Sequence, residues 1–432
     1  MEKTLTILLL AVALAEPTVA AVSADVNDIA ESYVKLVLEV GLYDPGYTDG
    51  YFGPPQWEPS DDQWAEEFPA ERLRGRAETL IERLGQIDPN ELGPLERQRN
   101  ACLLSQLSSV RAKIDLLAGV EMPFDQESRA LYGVVAPACD TEHLQSLLDQ
   151  LDELLPGEGP LYARFNGLRA RFTLPRSKLE AVLEAVTEEC RRRTAAHVTL
   201  PADERFDIRF VTNQAWAASV TYQGDGLSLV EINSQMPFGL ADIVKLVLHE
   251  IYPGHHTYLS LLDTHLYQDR GWTEYCVWPL NSPQSLLAEG LAEYGRRDLI
   301  SAAEMLEFER KVLCPLAGLD PNELELYDRV MAIKDDLDVA LIEAARRHLD
   351  GGMTREETGA FLARYTLTTP FGADNLVRFA EEFRSYVVTY TLGRDLIKAH
   401  VDRHSGPNAT DAQRWTLFDM LLTTPQTPAG LQ

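Results

Sequence analysis

The chain has 432 residues, 45% hydrophobic and 25% charged, with 67 acidic against 39 basic side chains and a formal net charge of -28. Such a length can bury a large core, and the surplus of carboxylates works against nucleic-acid phosphates and anionic membrane surfaces; a globular protein that binds no nucleic acid is expected. The cysteines, Cys102, Cys139, Cys190, Cys276 and Cys314, lie far apart with no C-x-x-C spacing, which argues against a zinc knuckle and a disulfide framework.

At the N-terminus, Lys3 precedes an apolar run from Leu5 to Leu14, Glu16-Pro17 breaks it, and Val22-Ser23-Ala24 offers small residues for cleavage. Residues 1–24 therefore read as a signal peptide, and the mature protein as periplasmic or secreted; without cleavage it would be cytoplasmic. The run is shorter than the ~20 residues needed to span a bilayer and no other segment reaches that length, so stable membrane insertion is not expected. Residues 25–432 read as a single, mainly helical domain, with an N-terminal helical part at 25–200 and a site-bearing part at 201–432.

Ile29, Tyr33, Val34, Val37 and Leu38 recur at helical spacing and form one apolar face. From Tyr43 to Trp57 the density of Pro, Gly and aromatic residues predicts an ordered loop that caps the core. Helices are predicted around Ala70–Gln86, Leu92–Leu117, Thr141–Leu155, Leu161–Phe172 and Ser177–His197, with Pro and Gly between them as stops. The character changes between Phe206 and Pro237. There the alternation around Ile208 and Phe210, the β-favouring run Leu227–Ile232 and the turn Gly224-Asp225-Gly226 predict a small antiparallel sheet, with a third strand near Ser219–Tyr222.

The next helix carries the chemistry. Ile243, Val244, Leu246, Val247 and Leu248 make it apolar nearly all round, and it ends in His249-Glu250-Ile251-Tyr252-Pro253-Gly254-His255-His256. An H-E-x-x-H helix presents two imidazoles to one zinc ion, with the Glu as general base. Here the fourth position after His249 is Pro253. Proline has no N–H to continue the helix, so the ladder opens after Glu250, and the break can bring either His255 or His256 round as the second ligand. Both stay open at this point.

A third ligand is available some forty residues on. Ser282 and Pro283 open a helix on which Glu289 and Glu293 lie four apart among Leu286, Leu287, Leu291 and Ala292. Two carboxylates on a largely apolar face repel unless a cation or a partner lies between them. Glu289 is expected to bind the metal and Glu293 to orient an imidazole N–H. The remainder reads as helices at Pro321–Leu349, Thr354–Tyr365, Pro370–Ser385, Tyr386–His400 and Asp411–Leu421; Asp335, Asp336 and Asp338 are expected on a solvated face.

The H-E-x-x-P-G-H-H stretch, Val230-Glu231-Ile232-Asn233 before it, Ser282-Pro283-Gln284-Ser285-Leu286 and Glu289-Gly290-Leu291-Ala292 after it together resemble the bacterial domain of unknown function 885 family. Asp44-Pro45-Gly46-Tyr47, Tyr51-Phe52-Gly53-Pro54 and Tyr390-Thr391-Leu392-Gly393-Arg394 match its pattern more weakly, and the resemblance runs from about Asp25 to about His400. It implies a mostly helical fold and a metallohydrolase similar to gluzincin peptidases, with no substrate assigned. In such an enzyme Tyr390 would stabilise an oxyanion and Arg394 would fork onto a substrate carboxylate.

The expectation is thus a mainly α (α+β) protein, a large multi-helix metallopeptidase-like domain with a small antiparallel sheet before the His-Glu helix. It would bind Zn2+ through His249, Glu289 and His255 or His256, and use Glu250 as general base on a peptide or small-molecule substrate. Two other classes fit the same residues: a metal-dependent amide or ester hydrolase on non-peptide substrates, and a non-catalytic metal- or peptide-binding helical protein.

Overall fold

The computed structural model describes residues 24–60, 64, 66–214 and 216–432; the signal-peptide expectation for 1–24 lies almost wholly outside them. The fold is mainly helical with two small sheets. Most helices lie where the apolar periodicity puts them, among them Ala70–Gly85, Pro94–Leu117, Thr141–Leu154, Leu161–Arg171 and Leu179–Ala195. Phe124–Tyr132 and Ala302–Phe308 were not anticipated, being too short to show a clear period. The segment expected as one helix from Pro321 to Leu349 is two, Leu324–Asp336 and Val339–Leu349. No helix among the described residues is long and apolar enough to cross a membrane.

The strands are β1 (Thr48–Tyr51), β2 (Arg205–Val211), β3 (Ala218–Gly224), β4 (Leu227–Asn233) and β5 (Val277–Pro279). β3 and β4 form an antiparallel hairpin across the Gly224-Asp225-Gly226 turn, and β2 adds to the far side of β4 in parallel, giving the order β2-β4-β3. The third strand exists and β3 is an edge. The aromatic loop differs from expectation. It contains β1, paired antiparallel with β5, and while Tyr47 is fully buried, Asp44, Gly46, Asp49, Gly50 and Phe52 line a cleft.

The largest apolar cluster joins both parts of the chain, from Leu144, Phe172 and Val186 to Val230, Val247, Leu291 and Phe418. Through it runs the helix Leu240–Glu250, whose Leu240, Ile243, Val244, Leu246, Val247 and Leu248 are buried. Burial of that stripe holds the helix rigidly and leaves its last turn facing the cleft. The Ser282 hydroxyl caps the helix Pro283–Tyr294 by accepting from Ser285 N at 3.1 Å, with Pro283 in the first turn. That helix crosses Thr389–Ser405 backbone to backbone. A Cβ on Gly290 would lie 2.4 Å from the Gly393 carbonyl carbon, and one on Gly393 would lie 2.5 Å from Leu286 O. Only glycines permit this approach, and it brings Tyr386 and Tyr390 down onto Glu289.

Candidate metal centre

The break after Glu250 is built by backbone. Val247 O accepts from both Ile251 N (2.9 Å) and Tyr252 N (3.0 Å), the ladder stops, and a second helix, His255–Leu262, starts after Gly254. Gly254 packs directly on the end of the first helix: a Cβ there would be 1.7 Å from His249 O and 2.8 Å from Leu248 O. The rings of His249 and His255 consequently meet at 4.7 Å between centroids, nearly perpendicular at 89°.

His249, His255 and Glu289 each turn one donor atom to a common point, the three atoms lying within 4.8 Å of one another. His249 Nε2 is 3.1 Å from Glu289 Oε2 and His255 Nε2 is 3.5 Å from Glu289 Oε1. Tetrahedral ligands at about 2.0–2.1 Å from a zinc ion stand roughly 3.3 Å apart, so these separations suit one. Glu289 is 93% buried, being 7% exposed, and its Oε2 has no hydrogen-bond partner within the described residues. A buried carboxylate oxygen without a donor is costly, and a cation at that point would satisfy it. The donor set and its geometry therefore fit zinc.

Behind the cluster runs a chain of charges. His249 Nδ1 lies 2.9 Å from Glu293 Oε1; Arg296 donates to both Glu293 oxygens at 3.1 and 2.5 Å and to Asp335 Oδ2 at 2.8 Å; Lys245 also pairs with Asp335. Asp335 is thus a member of this chain and does not lie on a solvated face, because its helix packs against the His-Glu helix. Burial alone would push Glu293 up, but Arg296 and then His249 hold its carboxyl at about 2. Burial would lower His249; Glu289 and Glu293 outweigh that and raise it.

Glu250 lines the cleft beside the cluster, its carboxyl pushed up by burial and pulled back by His249 and His255. Tyr386 O–H donates to Glu289 Oε1 at 2.8 Å, and Tyr390, also on the cleft wall, stacks edge-on to Tyr386 at 5.9 Å. Asp49, on β1, faces the same space. Burial pushes it up to about 6, offset by His255 and reinforced by Glu289 and Glu250.

Two candidates from the sequence fall elsewhere. His256 is fully buried and points away from the cluster, with Nδ1 2.8 Å from Ser228 Oγ and Nε2 2.9 Å from Glu204 Oε2. Adjacent residues on a helix are about 100° apart, so when His255 faces the cleft its neighbour cannot. Tyr252 and Arg191 also bind Glu204, which ties the break to the sheet. The Ser228-His256-Glu204 order mimics a hydrolytic triad, but Ser228 is wholly buried and reaches no substrate. Arg394 forks onto Asp298 at 2.7 and 3.1 Å and is not on the cleft wall, so the expected role toward a substrate carboxylate is not supported. Asp49, Tyr386 and Glu204 were missed. Only Tyr386, four residues before Tyr390, carried a local signal.

The cleft has a volume of about 570 Å³, within the ~300–1,000 Å³ of small-ligand and peptide subsites. No family model matches the chain, and no curated protein matches it. Two solved structures, each described as a "putative lipoprotein", are similar in fold. The one from Colwellia psychrerythraea is 15% identical with a TM-score of 0.53, and the match covers 84% of this chain and 66% of that chain. The other, from Shewanella oneidensis and of unknown function, is 13% identical with a TM-score of 0.49, covering 84% and 72%. The chain thus spans just under two thirds of the length of the Colwellia protein, and the likeness concerns the fold alone.

Proposed function

We propose that this protein is a zinc-dependent hydrolase acting on peptide bonds, with His249, His255 and Glu289 as the metal ligands. The observation that carries the reading is the convergence of these three donors on one point, with a buried Glu289 oxygen left without a partner and Glu250 beside it. A zinc ion held there supplies Lewis acidity and lowers the pKa of a water in its open fourth position. Glu250 takes a proton from the attacking water and delivers it to the leaving amine. Tyr390, with Tyr386 behind it, points a hydroxyl at the cleft to receive the developing oxyanion. Glu293 holds the His249 ring and its tautomer.

Peptide is favoured over other amides and esters by β3. It is an edge strand paired only with β4, and Ala218, Ser219, Val220, Thr221 and Tyr222 line the cleft, so an extended chain can pair with its free main-chain groups. The N-terminal charge, apolar run and small-residue site add the proposal that the protein is exported. The resemblance to the domain of unknown function 885 family remains part of the same reading.

Elemental analysis tests it: one zinc per chain is expected, with Glu250→Gln keeping the metal and losing turnover on a peptide library. Zinc bound as tightly by His249→Ala and Glu289→Ala as by the parent would sink the assignment.

A further inference from the structure

The cleft wall carries six carboxylates, Asp44, Asp49, Glu231, Glu250, Glu289 and Glu382, against a single lysine or arginine, Lys113. Lys113 is already held by Asp44 at 2.7 Å and by Asn281 Oδ1 at 2.9 Å. Glu231 pairs with Arg209 at 3.4 Å, Glu289 belongs to the metal cluster and Glu250 is the base. Asp49 and Glu382 are left with no hydrogen bond or ion pair to any described residue. They differ in position. Glu382 is on the exposed rim, near the end of the helix Pro370–Phe383, whereas Asp49 feels the charges of His255, Glu289 and Glu250 together and so stands beside the cluster.

A carboxylate beside two others, with no cation of its own, is disfavoured by repulsion and by partial loss of water. Local structure does not require it, since β1 is held by main-chain pairing with β5 and not by this side chain. Asp49 is also outside the set of donors that converge on the metal position. The missing counter-charge therefore has to come with the ligand, and the remaining acidic wall draws the same kind of ligand in.

We propose that Asp49 anchors a protonated amine of the substrate close to the bond being cleaved, so that the protein reads peptides from a free N-terminus. This rests on the hydrolase reading above and adds the class of substrate. One residue spans at most ~3.6 Å, so an amine held by a carboxylate next to the cluster places one of the first peptide bonds at Glu250. N-acylated peptides lose the anchor and leave Asp49 without its counter-charge.

The test uses the zinc-loaded full chain and two probes, leucine hydroxamate and N-acetyl-leucine hydroxamate, titrated calorimetrically, with zinc content measured alongside. The parent is expected to bind the free amine at least tenfold more tightly. Asp49→Asn should bring the ratio close to one with zinc content unchanged, and Glu382→Gln on the rim should leave the ratio as it is. A parent ratio near one overturns the inference, as does an Asp49→Asn ratio equal to the parent's. So does an equal loss in Glu382→Gln, which would mean a diffuse field and no anchor, or loss of zinc from Asp49→Asn, which would make it part of the metal shell. In all these cases zinc bound by the parent leaves the hydrolase reading standing. A parent that binds no zinc, or binds it and neither hydroxamate, overturns that reading and this one with it.

Discussion

Replacing Glu293 by glutamine removes one charge from the buried series Lys245, Asp335, Arg296, Glu293 and His249 while keeping the side chain's shape. Glu293 is the only partner of His249 Nδ1, at 2.9 Å, and the opposite nitrogen faces Glu289. Glutamine can still accept from Nδ1–H, but without charge it neither raises the basicity of the ring nor balances Arg296, which keeps only Asp335 at 2.8 Å. A hydrogen bond to a charged group is worth about 1.5–3 kcal/mol, and loss of the partner that orients a ligating histidine costs about 10–100-fold in metal affinity, or roughly 1.4–2.7 kcal/mol. Zinc affinity of Glu293→Gln should accordingly fall by that factor, measured by competition with a chromogenic chelator near neutral pH, while far-ultraviolet dichroism stays that of the parent. Affinity within twofold of the parent would refute the reasoning, because the charge behind His249 would then contribute nothing to the site.

Gly254→Ala puts a methyl 1.7 Å from a backbone oxygen that cannot move without unwinding the His-Glu helix. We expect loss of zinc and about 3 kcal/mol or more of stability in urea melts, and a variant with full zinc would contradict the account of the break. Tyr390→Phe should keep its zinc and lose about 10²–10³ in kcat, the scale of one oxyanion donor; unchanged kcat would remove Tyr390 from the chemistry. Glu309, away from the cleft, has its carboxyl raised by burial, then by Asp328, from 4.5 to about 8. The folded state therefore binds this proton more tightly than the unfolded chain does. Its contribution is fully present below the unfolded value and is lost as pH rises through about 8. The parent's melting temperature should fall more between about pH 6 and pH 9 than that of Glu309→Gln, by the equivalent of a few kcal/mol at most. Parallel pH profiles for the two proteins would exclude Glu309 as the cause.

The parts of the site that lie within one helix are written in local sequence. Spacing places His249 and Glu250 at the end of an apolar stripe, proline forces the break at 253, Ser282 and Pro283 start the next helix, and Glu289 and Glu293 share its face because they are four apart. Each of these follows from helix period, capping or a missing N–H, which act over a few residues.

The choice between His255 and His256 is of another kind. It depends on how Gly254 seats on His249 O and on whether Ser228 and Glu204 are present to take the second imidazole, and those partners are 28 and 52 residues away in the chain. Asp49 reaches the cleft only because β1 pairs with β5, more than two hundred residues on, and Tyr386 and Tyr390 reach Glu289 only because Gly290 and Gly393 let two helices touch. Arg394 carried the same local pattern as a substrate-binding residue and is held by Asp298 instead. Periodicity states which face of an element a side chain occupies. Which groups meet on that face is set by long-range packing and pairing, and there the identity of the second histidine and the acidic wall of the cleft were decided.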